Sequence, residues 1–310
     1  MTQPISLFVG LTTLDIATRI TTFPTPNEKL TAHHQDIAAG GPAANAAVTC
    51  AALGGHAILL TVIGTSPQAR IAAADLAAHN VTVIDLAGPD HGLSVSSILI
   101  TEHTGERAVI STDAQPHTLT PQMTSRLTTQ LSTLLPRVHA ILIDGHHPHL
   151  ARHILAQRPT NAAPIIVDAG RWKPAFDDLI PHAQHIIASA DFHDPHGWVP
   201  LTPETRTTLT TAPTIVRTHG EHPITVWHPT TTTTISPPRV VTRDTLGAGD
   251  VFHGAYTHFV ATHHHTHNHP PTDLADITAV TTNASVIAAH RVATVGLRSW
   301  ITQLADPTQL

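Results

Sequence analysis

One stretch decides the fold of this chain: Asp244-Thr245-Leu246-Gly247-Ala248-Gly249-Asp250, which continues as Val251-Phe252-His253-Gly254-Ala255. The apolar residues after Asp250 recur at helical spacing, so a glycine turn runs here into the start of a helix. The first N–H groups of a helix have no intrahelical partners, and with the helix dipole they form a site for an anion. An aspartate in that first turn is placed to take a proton from a hydroxyl while the N–H groups hold a phosphoryl group. By itself, however, the pattern is more typical of a structural aspartate after a glycine linker.

The composition is that of a globular protein with few charges: 41% of the 310 residues are hydrophobic, 12% are charged and the formal net charge is −6. An acidic balance without a basic block gives no reason to expect a nucleic-acid partner. The single cysteine, Cys50, rules out an intramolecular disulfide and is expected as a buried thiol within an apolar helical run. The sequence has no apolar run of about 18 residues and no signal-like start, so we expect no membrane span and a cytoplasmic protein.

Strand-like and helix-like segments alternate along most of the chain. This alternation predicts an α/β fold with a doubly wound, mainly parallel sheet and helices on both faces, with residues 1–310 as one domain. Two regions, about 12–38 and 92–112, interrupt the alternation with polar strands, and we expect them to form a small β lid outside the main sheet. Ligands bind beyond the carboxyl ends of the parallel strands in such folds. The residues expected at strand ends are Asp15, Asp144, Asp168, Thr218 and the 244–250 stretch.

The same patterns predict four local features. Asp15 is expected in a loop after the first strand, and residues 29–37 are expected as an exposed strand. Residues 202–210 are expected as a helix. The segment from His263 to His269 is expected as a solvated loop between two helices rather than a zinc site, because it has no cysteine and no carboxylate before Asp273.

A second glycine stretch, Gly40-Gly41-Pro42-Ala43-Ala44-Asn45-Ala46-Ala47, begins a helix of small residues. Paired glycines at a helix start let the backbone approach a ligand closely, and Asn45 lies one turn into the helix, where its amide can bond hydroxyl groups. Alone, this pattern is more typical of a tightly packed helix. The Gly-Lys-Ser/Thr ending of a Walker A loop is absent, and so is a dinucleotide-binding Gly-x-Gly-x-x-Gly after the first strand.

Together the two stretches resemble the two signatures of the PfkB (ribokinase-like) family of carbohydrate and nucleoside kinases, and the resemblance covers nearly the whole chain. Residues 40–47 are similar to the N-terminal signature, and Asp244 to Asp250 matches Asp-Thr-x-Gly-Ala-Gly-Asp without a gap. Gly105-Glu106-Arg107 is similar to the second lid hairpin, and Thr218-His219-Gly220 is similar to the Thr-x-Gly of the nucleotide site.

The resemblance implies a role for each matched residue. Asp250 is expected to be the catalytic base, and the backbone of Gly247, Ala248 and Gly249 is expected to be the anion hole for the γ-phosphoryl group of ATP. The lid is expected to cover the sugar, exclude water and form a homodimer. The remaining expected contacts are Asp15, Gly41 and Asn45 with the sugar, and Thr218, Gly220, Thr245 and Asn283 with the nucleotide.

One departure from the family concerns metal binding. Many relatives carry Asn-x-x-Glu after a mid-chain strand to organise Mg²⁺ and phosphates, but here the stretch reads Ala188-Ser189-Ala190-Asp191-Phe192-His193-Asp194. ATP with Mg²⁺ remains the expected cofactor pair, with Asp191 as a candidate metal ligand. Relatives often hold a monovalent cation such as K⁺ near the equivalent of Asp244 and a loop at about 293–299, which makes Asp244 a candidate for that ion.

The sequence thus predicts a sugar kinase that transfers the γ-phosphoryl group of MgATP to a sugar hydroxyl. Lys29 and Arg107, in the expected lid, and Arg171 are candidate contacts for an anionic sugar, and surface roles are open for all three. An aromatic content of 4% leaves few stacking residues for a flat base, which favours a sugar over a nucleoside or vitamin precursor. A neutral sugar, a nucleoside or vitamin precursor as substrate, and a non-catalytic sugar or nucleotide sensor remain the alternatives.

Overall fold

A computed structural model describes residues 2–88, 91–115, 117–159, 163–202, 204, 205, 207–209, 211–229 and 231–304. Over these residues the strands are β1 (Ile5–Val9), β2 (Thr13–Ile20), β3 (His34–Gly40), β4 (His56–Thr61), β5 (Thr82–Asp85), β6 (Val95–Thr101), β7 (Arg107–Ser111), β8 (Ala140–Ile143), β9 (Ile165–Ala169), β10 (His185–Ala188), β11 (Thr214–His219), β12 (His222–His228) and β13 (Thr231–Ile235). The helices are α1 (Pro42–Ala52), α2 (Pro67–Ala78), α3 (Pro121–Leu134), α4 (Pro148–Gln157), α5 (Phe176–Leu179), α6 (Ala248–His267), α7 (Leu274–Val292) and α8 (Ser299–Leu304). None of the described helices combines the length and the apolar character needed to cross a bilayer.

The main sheet of the described chain has nine strands in the order β13-β12-β11-β10-β9-β8-β1-β4-β5. Every neighbouring pair from β11 to β5 is parallel, and β12 and β13 extend one edge in antiparallel pairing. Alternate residues of a strand face opposite sides of a sheet. Accordingly Phe8 packs with residues of α1 and α6, whereas Leu7 and Val9 pack with residues of α3 and α4. The predicted doubly wound, mainly parallel sheet with helices on both faces is confirmed.

A second, smaller sheet has the strand order β3-β2-β6-β7. Its strands come from the two regions that interrupt the strand–helix alternation. Asp15 lies inside β2, opposite Ala38, and not in the predicted loop. The aspartate is accommodated in the strand because the Thr13 hydroxyl donates to its carboxylate at 2.6 Å. The strand expected at 29–37 begins only at His34, because the chain turns near Asn27, and Lys29 is exposed in the connection.

Two further local predictions are wrong. The described residues among 202–210 form turns and coil rather than a helix. Threonine is a poor helix former, and the segment is held by the Trp227 indole N–H, which donates to the Thr205 carbonyl at 3.2 Å. The histidines from His263 to His267 are not in a loop either, because α6 continues to His267 and is ended by Asn268 in the left-handed conformation.

Helices α1 and α6 pack closely enough to bring the two glycine stretches together. A Cβ at position 254 would lie 2.4 Å from the Ala46 carbonyl oxygen and 2.7 Å from the Thr49 Cβ, so glycine is required at this crossing. Alanines around Ala46 on α1 are fully buried in the same contact. This close packing sets Asn45 of α1 beside Asp250 of α6.

Candidate active site

The start of α6 has the geometry of an anion site. Gly247 is the N-cap residue, with a φ of 70°, and has no side chain to cap the first turn. Ala248 and Gly249 line an open cavity, so the helix start faces space that a ligand can enter. The Ala248 N–H also donates to the Thr245 carbonyl at 3.3 Å, so this N–H group belongs to the turn before α6 as well as to the helix start. The unpaired donors of the first turn and the helix dipole favour a phosphoryl group here.

A chain of hydrogen bonds orients the Asp250 carboxylate. Asn45 Nδ2 donates to Asp250 Oδ2 at 2.8 Å. Arg298 Nη1 donates to Asn45 Oδ1 at 3.1 Å, which determines which way the amide faces. Arg298 is itself held by the Ala39 carbonyl at 2.6 Å and by Asp75 at 3.0 Å. Asn45 therefore touches the expected base directly, and Arg298, which lies far from both signatures in sequence, was not predicted in this role.

Two further residues, Asp168 and His253, stand beside Asp250. His253 follows Asp250 by three positions on the same side of α6, and its Nδ1 lies 3.5 Å from Asp168 Oδ2. One ligand atom from each of the three side chains lies within 4.8 Å of the other two. Both ring nitrogens of His253 are buried without a hydrogen-bond partner among the described residues, and Nδ1 faces Asp168, so the three side chains together offer a set of ligands for a metal ion. The spacing after Asp250 was the available sequence signal for His253.

These neighbours change the proton affinity of Asp250. Burial in the cleft raises the pKa of Asp250 to about 6, and the charge of Asp168 adds to the rise. The hydrogen bond from Asn45 and the nearby His253 act in the opposite direction. A carboxyl group with this pKa is mostly ionised at neutral pH and is a stronger base than an ordinary aspartate, which suits proton abstraction.

Asp15 adds a third carboxylate to the same cleft. Its side chain packs against Gly40, where a Cβ would lie 2.0 Å from the Asp15 carboxyl carbon, so the first glycine of the pair is required by Asp15. Burial raises the pKa of Asp15, and the charge of Asp15 contributes to the raised pKa of Asp250. Gly41, the other glycine of the pair, is the N-cap residue of α1, with a φ of 94°.

The carboxylate of Asp144 binds backbone N–H groups and is therefore not available to a ligand. Its carboxylate accepts the N–H groups of Leu11 at 2.9 Å, Ala43 at 3.2 Å and His146 at 2.9 Å. Burial alone would raise the pKa of Asp144, but His146 and Lys173 hold it well below its ordinary value. Because this carboxylate already takes up an N–H group at the start of α1, the start of α6 is the better place for a phosphoryl group.

A cavity of about 770 Å³ adjoins the start of α6. Thr218, Gly220 and Thr245, the residues expected at the nucleotide, all line it together with Ala248 and Gly249. The structure therefore brings these residues, which are far apart in sequence, to one space next to the anion site. A cavity of this size accommodates a cofactor.

Two other predicted contacts are placed differently by the structure. Arg107, expected at the sugar, donates from Nη1 to Thr245 Oγ1 at 2.6 Å and lines the 770 Å³ cavity, so it lies with the residues expected at the nucleotide. Asn283 is exposed on α7 and is not among the lining residues, which on this helix include Ser285 and Ala288. At about 100° per residue, Asn283 lies about 200° around the helix from Ser285 and faces away from the cavity.

The other cations considered for an anionic sugar are not gathered at the cleft. Lys29 is exposed in the connection between β2 and β3. Arg171 Nη2 donates to Asp113 Oδ2 at 3.0 Å, and both side chains are exposed. The charged groups that raise the pKa of Asp250 are instead the carboxylates of Asp168 and Asp15.

Oxygen ligands for Mg²⁺ are present near the end of β10. Asp191 is exposed in the turn that follows this strand, and the hydroxyl of Ser189, the first residue after the strand, donates to the Gly170 carbonyl at 2.8 Å. Asp194 is committed to a turn, because it accepts the N–H groups of Trp198 and Val199. Mg²⁺ keeps several waters and needs one or two carboxylates plus phosphates, so an exposed Asp191 fits a nucleotide-borne ion.

Asp244, by contrast, does not fit a monovalent cation. Its fully buried carboxylate lies 2.6 Å from Arg19 Nη2 and 3.3 Å from Arg291 Nη2. One negative charge therefore already faces two positive charges. A further cation at this carboxylate would be repelled by both guanidinium groups, by about 4 kcal/mol per pair for charges about 4 Å apart at an effective dielectric constant of about 20.

Comparison with solved structures shows the same fold in several kinases. The chain superposes on a ribokinase from Giardia lamblia with a TM-score of 0.78 at 14% identity, covering 97% of this chain and 96% of the other. The Arabidopsis thaliana ribokinase, solved with ribose and ATP, gives a TM-score of 0.67 at 16% identity and covers 99% of both chains. A microbiome-derived acarbose kinase gives 0.73 at 19% identity, covering 98% of this chain and 100% of the other.

Sequence comparison identifies the family. No curated protein matches the chain. The family described as pfkB family carbohydrate kinase matches residues 6–296, which is nearly the whole chain and includes both glycine stretches. With its signature residues assembled around one cleft and its fold shared with ribokinases, this chain belongs to the pfkB family of carbohydrate kinases.

Proposed function

We propose that this protein is an ATP-dependent sugar kinase in which Asp250 is the catalytic base. The observation that carries the proposal is the position of Asp250 in the first turn of α6, whose start lines a cavity with Thr218, Gly220 and Thr245, and close to the carboxylates of Asp15 and Asp168. We assign the cavity to the nucleotide and the surroundings of the carboxylates to the acceptor.

In the proposed reaction Asp250 takes the proton of an acceptor hydroxyl as its oxygen bonds to the γ-phosphorus of ATP. The bond between that phosphorus and the β–γ bridging oxygen breaks, and ADP leaves with the electron pair. Backbone N–H groups of residues 247–249 hold the transferring group, whose charge they offset. Mg²⁺ would neutralise the charge on the nucleotide phosphates, with the exposed carboxylate of Asp191, after β10, as a candidate ligand.

The charge of the cleft supports a neutral sugar as the acceptor. The carboxylates of Asp15, Asp168 and Asp250 lie close together, and Arg298, the cation beside Asn45, is already paired with Asp75. Lys29 is exposed and Arg171 is paired with Asp113. A phosphate or sulfonate near three carboxylates would be repelled, while hydroxyl groups donate to carboxylates readily. His253 Nε2, which has no hydrogen-bond partner among the described residues, offers a further contact for a hydroxyl group.

We further propose that the protein forms a homodimer through the smaller sheet, which acts as a lid over the acceptor. Ile110 on β7 is 70% exposed and Ile37 on β3 is 51% exposed. Strand register places Ile37, Ile16, Ser97 and Ile110 side by side across the sheet, so these isoleucines share one face. An apolar row of this kind favours burial against a second copy.

The direct test is ADP formation over a panel of neutral and anionic sugars and of nucleosides, with and without Mg²⁺. We expect Mg²⁺-dependent turnover with a neutral sugar and much weaker turnover with its phosphorylated or sulfonated counterparts. Preference for an anionic sugar would contradict the assignment of the acceptor. Saturable sugar binding without ADP formation for any compound would instead indicate a sensor.

A further inference from the structure

We propose that Arg291, together with Arg19, acts as a built-in cation beside the anion site, so that this protein needs no K⁺ or other monovalent ion. The part of the proposal that concerns turnover rests on the proposed kinase function. The part that concerns nucleotide binding and folding does not.

Arg291 contacts the carbonyl and carboxylate oxygens of Asp244 and the carbonyl oxygen of Thr294, which would be the ligands of a monovalent cation at this place. Its Nη1 donates to the Thr294 carbonyl at 2.9 Å and lies within hydrogen-bond range of the Asp244 carbonyl at 3.4 Å. Its Nη2 lies 3.3 Å from the Asp244 carboxylate. The side chain is only 2% exposed, so the positive charge is enclosed by protein. One guanidinium thus joins the turn before α6 to the turn after α7.

Arg19 supplies the second positive charge from the smaller sheet. Its Nη2 donates to Asp244 Oδ2 at 2.6 Å, and the side chain is buried. The Gly296 N–H also points at this oxygen, at 3.4 Å. The carboxylate of Asp244 is therefore surrounded by donors from β2, from α7 and from the loop that follows α7.

Asp244 connects the two guanidinium groups to the anion site at the start of α6. The other carboxylate oxygen of Asp244 accepts the Leu246 N–H at 3.0 Å, which positions the turn that leads into Gly247. Loss of Arg291 would leave the buried carboxylate with Arg19 as its single charged partner and would remove the link to the turn after α7, which would free the turn before α6 to move. A guanidinium stays protonated at physiological pH and cannot dissociate, so the turn is held without any dependence on ion concentration. Arg291 is in this sense a positioning residue, because it acts on the anion site through Asp244.

The experiment compares KCl with choline chloride at equal ionic strength for the full-length wild type and for Arg291→Met. The readouts are the melting temperature, the affinity for a non-hydrolysable ATP analogue with Mg²⁺, and turnover with the best sugar of the panel. We expect the wild type to differ by less than about twofold between the salts in affinity and turnover. We expect Arg291→Met to lose about tenfold or more in nucleotide affinity or turnover in choline chloride and to regain part of it with K⁺ or with guanidinium ion.

The matched control is Arg217→Met. Arg217 is 1% exposed and donates to the carbonyls of Pro200 and Ser189, with no contact to Asp244. We expect this variant to lose stability without gaining a response to K⁺. If Arg291→Met does not fold, Arg291→Lys keeps the charge but not the planar fork and is expected to fold with weaker nucleotide binding.

A wild type whose melting temperature, nucleotide affinity or turnover rises specifically with K⁺, by more than about threefold in the latter two, would overturn the proposal. Unchanged nucleotide affinity and turnover in Arg291→Met would do the same. A protein that binds the ATP analogue equally in both salts but phosphorylates no sugar would contradict the proposed kinase function and leave the built-in cation supported.

Discussion

Asp250 is the residue on which the proposed chemistry depends, because its carboxylate is the group placed to take the acceptor proton. We expect Asp250→Asn to reduce turnover by on the order of a hundredfold or more, since the amide keeps the shape but has no basic oxygen of comparable strength. Nucleotide binding should persist, because the cavity lined by Thr218 and Thr245 is unchanged. Steady-state kinetics and titration of an ATP analogue measure the two effects.

The control for this variant is Asp113→Asn, which removes the same charge at an exposed position paired with Arg171. Its turnover should stay close to that of the wild type. Near-normal turnover in Asp250→Asn would remove Asp250 from the role of base.

The pH dependence reports the surroundings of Asp250. A base with a pKa of about 6 must be ionised to work, so kcat/KM should fall as the pH drops through about 6. Asp168 raises this pKa by its negative charge, so Asp168→Asn should lower it and move the acid limb of the profile to lower pH. A pH profile of kcat/KM for the wild type and both Asp168→Asn and Asp113→Asn measures the shift. An acid limb that stays in place in Asp168→Asn would show that the two carboxylates do not interact.

At the scale of elements, the crossing of α1 and α6 holds Asn45 against Asp250. We expect Gly254→Ala to destabilise the protein, because its Cβ would lie 2.4 Å from the Ala46 carbonyl. Alanine gains about 1 kcal/mol of helix propensity, but overpacking costs about 1–3 kcal/mol or more, and the backbone contact places this site at the upper end. Urea unfolding should show a net loss of about 1–2 kcal/mol.

Turnover of Gly254→Ala should also fall, because separation of the helices lengthens the bond of 2.8 Å between Asn45 and Asp250. Gly92→Ala is the matched control, since a Cβ there meets open space. Equal stability of the two variants would mean that the helices are not in close contact at position 254.

At the scale of the whole molecule, the smaller sheet supplies the expected dimer surface. We expect Ile110→Lys to weaken the homodimer, because it would place a charge in the apolar row that includes Ile37. Sedimentation velocity over a range of concentrations measures the change. Leu201→Lys is the matched control, since Leu201 is 53% exposed but lies outside both sheets. A wild type that sediments as a monomer at all concentrations would contradict the proposed dimer.

Patterns among residues that are close in sequence predicted most of the fold. Helical spacing after Asp250, the proline at the start of α1 and the alternation of short apolar runs with helices all depend on neighbours in sequence, and the corresponding elements were predicted correctly. The errors lie where a tertiary contact outweighs propensity. The Trp227 indole holds residues near Thr205 out of a helix, and Thr13 stabilises Asp15 within β2.

The sequence by itself determined the family, the class of fold and the pair of glycine stretches that meet at Asp250, because these are patterns of spacing along the chain. Only the tertiary structure decided which groups surround Asp250 and Asp244, because side chains such as Asp168, Arg298 and Arg291 arrive there from separate elements. It also placed Arg107 at the 770 Å³ cavity and turned Asn283 away from that cavity, since helix rotation and strand register determine where a side chain points. The charge of a site depends on distances through space, which the order of residues does not contain.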